Sequence, residues 1–170
     1  GNSFQPRKSH SIFRVLAFLE KQGCQVEFDR SFYDFLQENH DLDLGKYATF
    51  EGDDFEADYV LSMGGDGTFL QSAVRVGEKQ IPLVGINMGR LGFLADVLPD
   101  EVEEALDAVL KGNYNIEEHT AIQITTEGGD FEGCHYALND IAVLKRDVAS
   151  MISIRTHVDG SFLVNYQADG

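Results

Sequence analysis

The chain has 170 residues, 43% of them hydrophobic, a globular composition with room for one core, or for one compact domain and part of a second. Its 29 Asp+Glu against 13 Lys+Arg leave a net charge of −16, which repels nucleic acid and anionic membranes and speaks against both as partners. An anionic small molecule then needs local help from backbone N–H groups, a helix N-terminus or a cation.

Ser9 or Ser11 is placed to cap a first helix whose apolar stripe is Ile12, Val15, Leu16 and Leu19, with Gly23 at its C′ position. A short strand is expected over 25–28, then a second helix over 31–38 with Phe32, Phe35 and Leu36 inward. Residues 39–57 are polar, acidic and aperiodic and read as a loop. The apolar run from Tyr59 to Met63 reads as a buried strand, 68–76 as a helix with Phe69, Leu70 and Ala73 inward, and 81–86 as another buried strand ending at Asn87. Alternation of buried strands and helices predicts an α/β domain over 1–98, Rossmann-like and three-layered around a parallel sheet.

The pattern changes after Leu98. Residues 99–111 form one more amphipathic helix, with Val102, Leu106, Val109 and Leu110 on its apolar side and Gly112 as the stop. From Tyr114 the apolar residues recur at spacings near two, through Ile122, Ile124, Phe131, Ile141, Val143, Ile152, Ile154, Val158, Phe162 and Val164. Gly128, Gly129 and Asp130, and again Asp159 and Gly160, suit hairpin turns. Residues 99–170 are therefore expected to be a helix and the start of a β-rich, sandwich-like domain, with the boundary near 96–113. Cys24 and Cys134 stand far apart and in no C-x-x-C pair, which argues against a disulfide framework or zinc site and for a reducing, cytoplasmic setting. No apolar run has the length of a membrane span, and the first residues carry no secretory pattern. The sequence starts without Met and stops as a strand reaches a turn, so it reads as a segment of a longer protein.

Three loops carry chemistry-bearing residues. Gly64, Gly65, Asp66, Gly67 and Thr68 lie between a buried strand and a helix, where open α/β sheets bind ligands. The glycines let a phosphate approach the backbone, and the helix presents N–H groups to it. A carboxylate there makes sense if it holds Mg²⁺, accepts a hydroxyl proton, or both; a tight βα turn capped by Asp66 is the structural alternative. Neither G-x-x-x-x-G-K-[ST] nor G-x-G-x-x-G occurs. The second loop spans 85–94, with three glycines, Asn87, Arg90 and Phe93; Phe93 can offer its ring to an adenine or begin the next core. The third is Asn139 and Asp140, set between apolar residues, where a polar pair needs partners such as a ribose, a base edge or a hairpin corner. Asp169 adds a carboxylate at the end, with turn chemistry as its other reading.

Together these segments resemble the NAD kinase family. Residues 64–68 look like that family's phosphate and active-site loop, whose Asp acts on the 2′-hydroxyl of the NAD adenosine ribose. Residues 85–94 are similar to its second glycine-rich segment, whose aromatic meets the adenosine half. Asn139 and Asp140 look like its Asn-Glu pair with Asp in place of Glu, and Asp169 matches an Asp that contacts the dinucleotide. The resemblance implies an N-terminal α/β domain, a β-rich NAD-binding domain, ATP or polyphosphate as donor, NAD as acceptor, Mg²⁺ or another divalent cation, and a homo-oligomer, dimer or tetramer. It makes Asp66 catalytic and Asp66, Gly67, Phe93, Asn139, Asp140 and Asp169 the nucleotide contacts, with no residue assigned to a resident metal. It also places a strand before Gly1 and a Thr/Ser-rich loop beyond Gly170. Gln71, Ser150 and Gln167 stand where some relatives are basic. A related Gly-Gly-Asp-Gly kinase acting on a lipid, or a dinucleotide-binding module without turnover, is the alternative.

Overall fold

A computed structural model describes residues 9–39, 43–89, 92–128, 135–146 and 151–169. The chain divides into two compact units, Gly1–Ala121 and Ile122–Gly170.

In the first unit, α1 (Ser9–Lys21) buries Ile12, Val15, Leu16 and Leu19, the stripe that its 3.6-residue period dictates. It stops at Gly23, whose φ is +72°. The N–H of Gly23 donates to Glu20 O and that of Cys24 to Leu19 O, which satisfies the last carbonyls. Strand β1 is Glu27–Asp29 rather than 25–28. The shift has a cause: Asp29 closes the strand and caps α2 (Arg30–Asn39), its carboxylate accepting the Phe32 N–H at 3.0 Å and the Ser31 hydroxyl. Helix α2 buries Tyr33 and Leu36, while Phe32 and Phe35 pack half-buried against the same core.

The segment expected to be a loop contains a strand, β2 (Ala48–Phe50), which pairs in parallel with β1 from Glu27↔Ala48 to Asp29↔Phe50. Leu44, just before it, is 1% exposed and belongs to the core. Strand β3 (Val60–Gly64) and strand β4 (Leu83–Asn87) pair in parallel from Val60↔Leu83 to Gly64↔Asn87. Parallel neighbours need a crossover, here α3 (Asp66–Val76). This helix begins two residues earlier than expected, so Asp66 and Gly67 lie in its first turn and Gly65 is the N-cap. Phe69 lies against Gly85 of β4, and Val76 is the buried residue of the helix.

Helix α4 (Val102–Leu110) buries Val102 and Leu106, but Leu110 is 43% exposed, against expectation. Gly112, φ +74°, ends it as Gly23 ends α1. Arg14 of α1 donates to Glu103 at 3.0 Å and to the Pro99 carbonyl at 3.1 Å. Helix α4 thus packs within the first unit, and the compact units divide after Ala121, beyond the boundary drawn from composition.

The second unit is antiparallel. Strand β5 (Ile122–Gln123) pairs with β6 (Tyr136–Ala137), and β7 (Ile152–Val158) with β8 (Ser161–Ala168). Asp159 at φ +50° and Gly160 at φ +78° make the tight turn of the second pair, the twist that a two-residue hairpin requires. Ile141 and Val143 lie outside strands and are exposed. The turn expected at Gly129 and Asp130, like Phe131 and Cys134, lies outside the described residues. The fold is therefore an α/β unit with parallel strands followed by a β-rich unit, whose described strands form two antiparallel pairs.

Candidate functional site

Strands β3 and β4 end side by side, so their two glycine-rich loops leave the sheet together. The Met88 N–H donates to Gly64 O at 2.9 Å and ties the loops at their roots. Beneath them, the Ser72 hydroxyl donates its one proton to the Thr68 carbonyl at 3.0 Å and lies in hydrogen-bond contact with the Ser62 hydroxyl at 3.1 Å, which steadies the start of α3. Gly64 is obligatory by size, because a Cβ there would lie 2.2 Å from Thr68 Oγ1.

Asp66 does not cap its own helix; no side-chain bond caps α3. Its carboxylate instead reaches the second loop, where Oδ2 accepts the Phe93 N–H at 2.8 Å and Oδ1 accepts those of Leu94 and Ala95 at 3.0 and 3.2 Å. The hydrogen bonds from Phe93, Leu94 and Ala95 hold its carboxyl below the ordinary value, against a smaller upward push from burial. Asp66 is thus ionised at neutral pH. Gly67 is exposed in the first turn of α3, where helical N–H groups lack intrahelical partners and suit an anion.

The second loop is mounted on β4 by Asn87, which is 1% exposed. Its Nδ2 donates to Ala95 O at 2.9 Å, and its Oδ1 accepts the Gly89 N–H at 2.8 Å. The Asn87 N–H donates to Val97 O, and Val97 returns a bond to Gly85 O. Phe93 projects from this loop with 99% of its surface exposed, so it does not begin a core in this unit. Arg90 lies outside the described residues.

In the second unit, Asn139 and Asp140 follow β6 and are both exposed. The expectation of a polar pair buried in an apolar strand is therefore corrected: the strand ends at Ala137, and Asn139 Nδ2 donates to Asp140 Oδ2 at 2.8 Å. Asp169 follows β8, exposed and ion-paired to Lys145, whose N–H also donates to the Asp169 carbonyl at 2.9 Å. Ser150 lies outside the described residues, and Gln71 and Gln167 are exposed. Sequence reading gave no role to Asn87, Gly92 or Lys145. Asn87 had a signal, a polar residue ending an apolar strand; the Lys145–Asp169 pairing had none.

Among the described residues no three His, Cys, Asp or Glu converge as a metal cage. Within the same limits, no helix is long and apolar enough to cross a membrane.

The family model for the ATP-NAD kinase N-terminal domain matches residues 9–114. The chain is 46% identical over 170 residues to an NAD kinase of Bacteroides fragilis, covering 100% of this chain and 59% of that protein. It is 39% identical over 172 residues to an NAD kinase of Cytophaga hutchinsonii, covering 100% and 59%. It thus spans about three-fifths of the length of these curated relatives. Among solved structures, yeast NADH kinase complexed with NADH superposes with a TM-score of 0.79 at 18% identity, over 99% of this chain and 53% of that one. An NAD kinase from Archaeoglobus fulgidus in complex with ATP gives a TM-score of 0.59 at 25% identity, over 84% and 56%.

Proposed function

This chain belongs to the ATP-NAD kinase family, and from that premise we propose that the complete polypeptide carrying it transfers the terminal phosphoryl group of ATP to the 2′-hydroxyl of the adenosine ribose of NAD, making NADP. The observation that carries the reading is one ionised carboxylate, Asp66, held between two glycine-rich loops at the carboxyl ends of parallel strands. Phosphoryl transfer asks the protein mainly for positioning, charge neutralisation and a proton acceptor. The backbone around Gly67 and the N-terminus of α3 face the phosphates; Asp66 accepts the hydroxyl proton as the ribose oxygen bonds to the γ-phosphorus. The bond from that phosphorus to the bridging oxygen then breaks, and ADP leaves. The exposed ring of Phe93 packs on the adenine, and Asn139, Asp140 and Asp169 supply further polar contacts to the dinucleotide.

Relatives named as NAD kinases support the acceptor, and the complex of the Archaeoglobus fulgidus enzyme supports ATP as donor. A divalent cation belongs to this reading as cargo on the donor's phosphates rather than as a resident metal. A cytoplasmic homo-oligomer with a sandwich-like second domain completes it. The N–H bonds holding Asp66 also suit a module that binds dinucleotide without turnover. Product analysis separates the two: the complete polypeptide is incubated with NAD, Mg²⁺ and ATP, and the new phosphate is located by phosphorus NMR. Phosphate at the 2′-position supports the kinase; no product, or phosphate at a 3′-position, removes it.

A further inference from the structure

Three peptide N–H groups converge on one carboxylate, and the count of lone pairs decides what that carboxylate can still do. An ionised carboxylate accepts about four hydrogen bonds, two per oxygen. Oδ1 of Asp66 takes two, from Leu94 and Ala95, while Oδ2 takes one, from Phe93. Oδ1 is therefore filled, and Oδ2 keeps one lone pair.

The three donors are fixed in place. Ala95 is fully buried, its carbonyl is held by Asn87, and the loop is bonded back to β4 on both sides through Asn87 and Val97. Gly92 stands at the mouth of this arrangement. A Cβ on it would lie 2.2 Å from Asp66 Oδ1, 2.5 Å from Cγ and 2.6 Å from Oδ2. Its φ lies outside the left-handed region, so the carboxylate and not the backbone excludes a side chain there.

We propose that Gly92 and the peptide N–H groups of Phe93, Leu94 and Ala95 form a backbone cradle that aims Asp66, so that the attacking hydroxyl meets Oδ2 and only Oδ2. Gly92 is then a positioning residue of the reaction, acting through Asp66. This rests on the kinase reading given above for Asp66 and adds what orients it. The three atoms nearest to such a Cβ all belong to the carboxylate at the end of the Asp66 side chain. Gly92→Ala is therefore expected to displace that carboxylate. A displacement of about 1 Å at a reacting group is enough to lose on the order of 10²-fold in rate.

The test is a double-mutant cycle in the complete polypeptide, with kcat and the KM for NAD measured for Gly92→Ala, Asp66→Asn and both together. Gly92→Ala is expected to lower kcat by roughly 10²-fold or more while KM changes far less. In the Asp66→Asn background it is expected to cost little further, because the group it acts through is already lost. Independent, multiplying effects overturn the proposal, as does a Gly92→Ala effect confined to KM. Amide nitrogen-15 and proton shifts of Phe93, Leu94 and Ala95 give a readout free of activity. They are expected to move in both single variants, and unmoved shifts in Asp66→Asn overturn the cradle even if Gly92→Ala folds poorly. If the native polypeptide makes no NADP, the kinase reading fails by itself, and the amide shifts still decide the cradle.

Discussion

Replacing Asp66 by Asn changes one oxygen to an amide and leaves size and shape alone, so its cost can be worked from the three contacts. With the remaining oxygen at the Oδ1 position, the bonds from Leu94 and Ala95 survive. The amide nitrogen then faces the Phe93 N–H, now 2.8 Å from Oδ2, as donor against donor. The loop loses one hydrogen bond of three and keeps its anchorage through Asn87. NAD affinity should therefore fall by no more than on the order of tenfold, the scale of one exchanged hydrogen bond. Turnover should fall by roughly 10²–10⁴, the usual contribution of a positioned proton acceptor. Turnover is read by coupling NADP to a dehydrogenase that ignores NAD, and affinity by calorimetry with NAD alone. Near-native turnover, or an affinity loss as large as the rate loss, refutes the assignment of Asp66 to the chemistry.

Leu106→Ala, at a side chain 2% exposed in the core, should destabilise the chain by about 2–5 kcal/mol in denaturant titration. Leu110→Ala on the same helix, at 43% exposure, should stay within about 0.5 kcal/mol; equal effects would overturn the packing described for α4. Gly85→Ala places a Cβ 2.8 Å from the Ala95 backbone and 2.9 Å from Phe69, so overpacking should cost about 1–3 kcal/mol in the same titration. Burial pushes the Asp29 carboxyl up, but Ser31, Arg75 and the Phe32 N–H together hold it below its ordinary value of 3.8. Its contribution to stability is then present above that value and lost as pH falls through the lower folded one. Asp29→Asn should flatten that part of the acid denaturation curve, and an unchanged acid limb would count against it.

The elements with strong periodicity were legible: the stripe of α1, the buried runs of β3 and β4, and the Asp159–Gly160 turn follow from spacing alone. Strand β2 was not, because three residues are too few to show alternation, and the leucines before it, Leu42 and Leu44, stand in a short polar and acidic stretch. Tyr33 was passed over for its phenylalanine neighbours; its phenol oxygen accepts a bond from Gln37 at 3.2 Å, which lets the ring be buried. At the site, glycines flagged Asp66, but the groups that hold it are peptide N–H donors 27 to 29 residues away. Every residue except proline carries such a donor, so no residue type announces it. Adjacency revealed Asn139 and Asp140, yet not their exposure, since the strand before them is only two residues long.

The position of Asp66 poses an electrostatic difficulty that the cradle resolves. A chain of net charge −16 that places another carboxylate beside a phosphate loop should repel its own substrate. Three N–H dipoles pointing at that carboxylate offset much of its field, and the lowered carboxyl pKa expresses the same stabilisation of the ionised form. They also make Asp66 a weaker base, which matters little where a proton leaves late, in a loose transition state with small demand for nucleophile activation. What the reaction gains is direction: one filled oxygen, one open lone pair, and no freedom to turn. The backbone of the second glycine-rich loop thus does for Asp66 what a lysine or a metal would do in a more basic site.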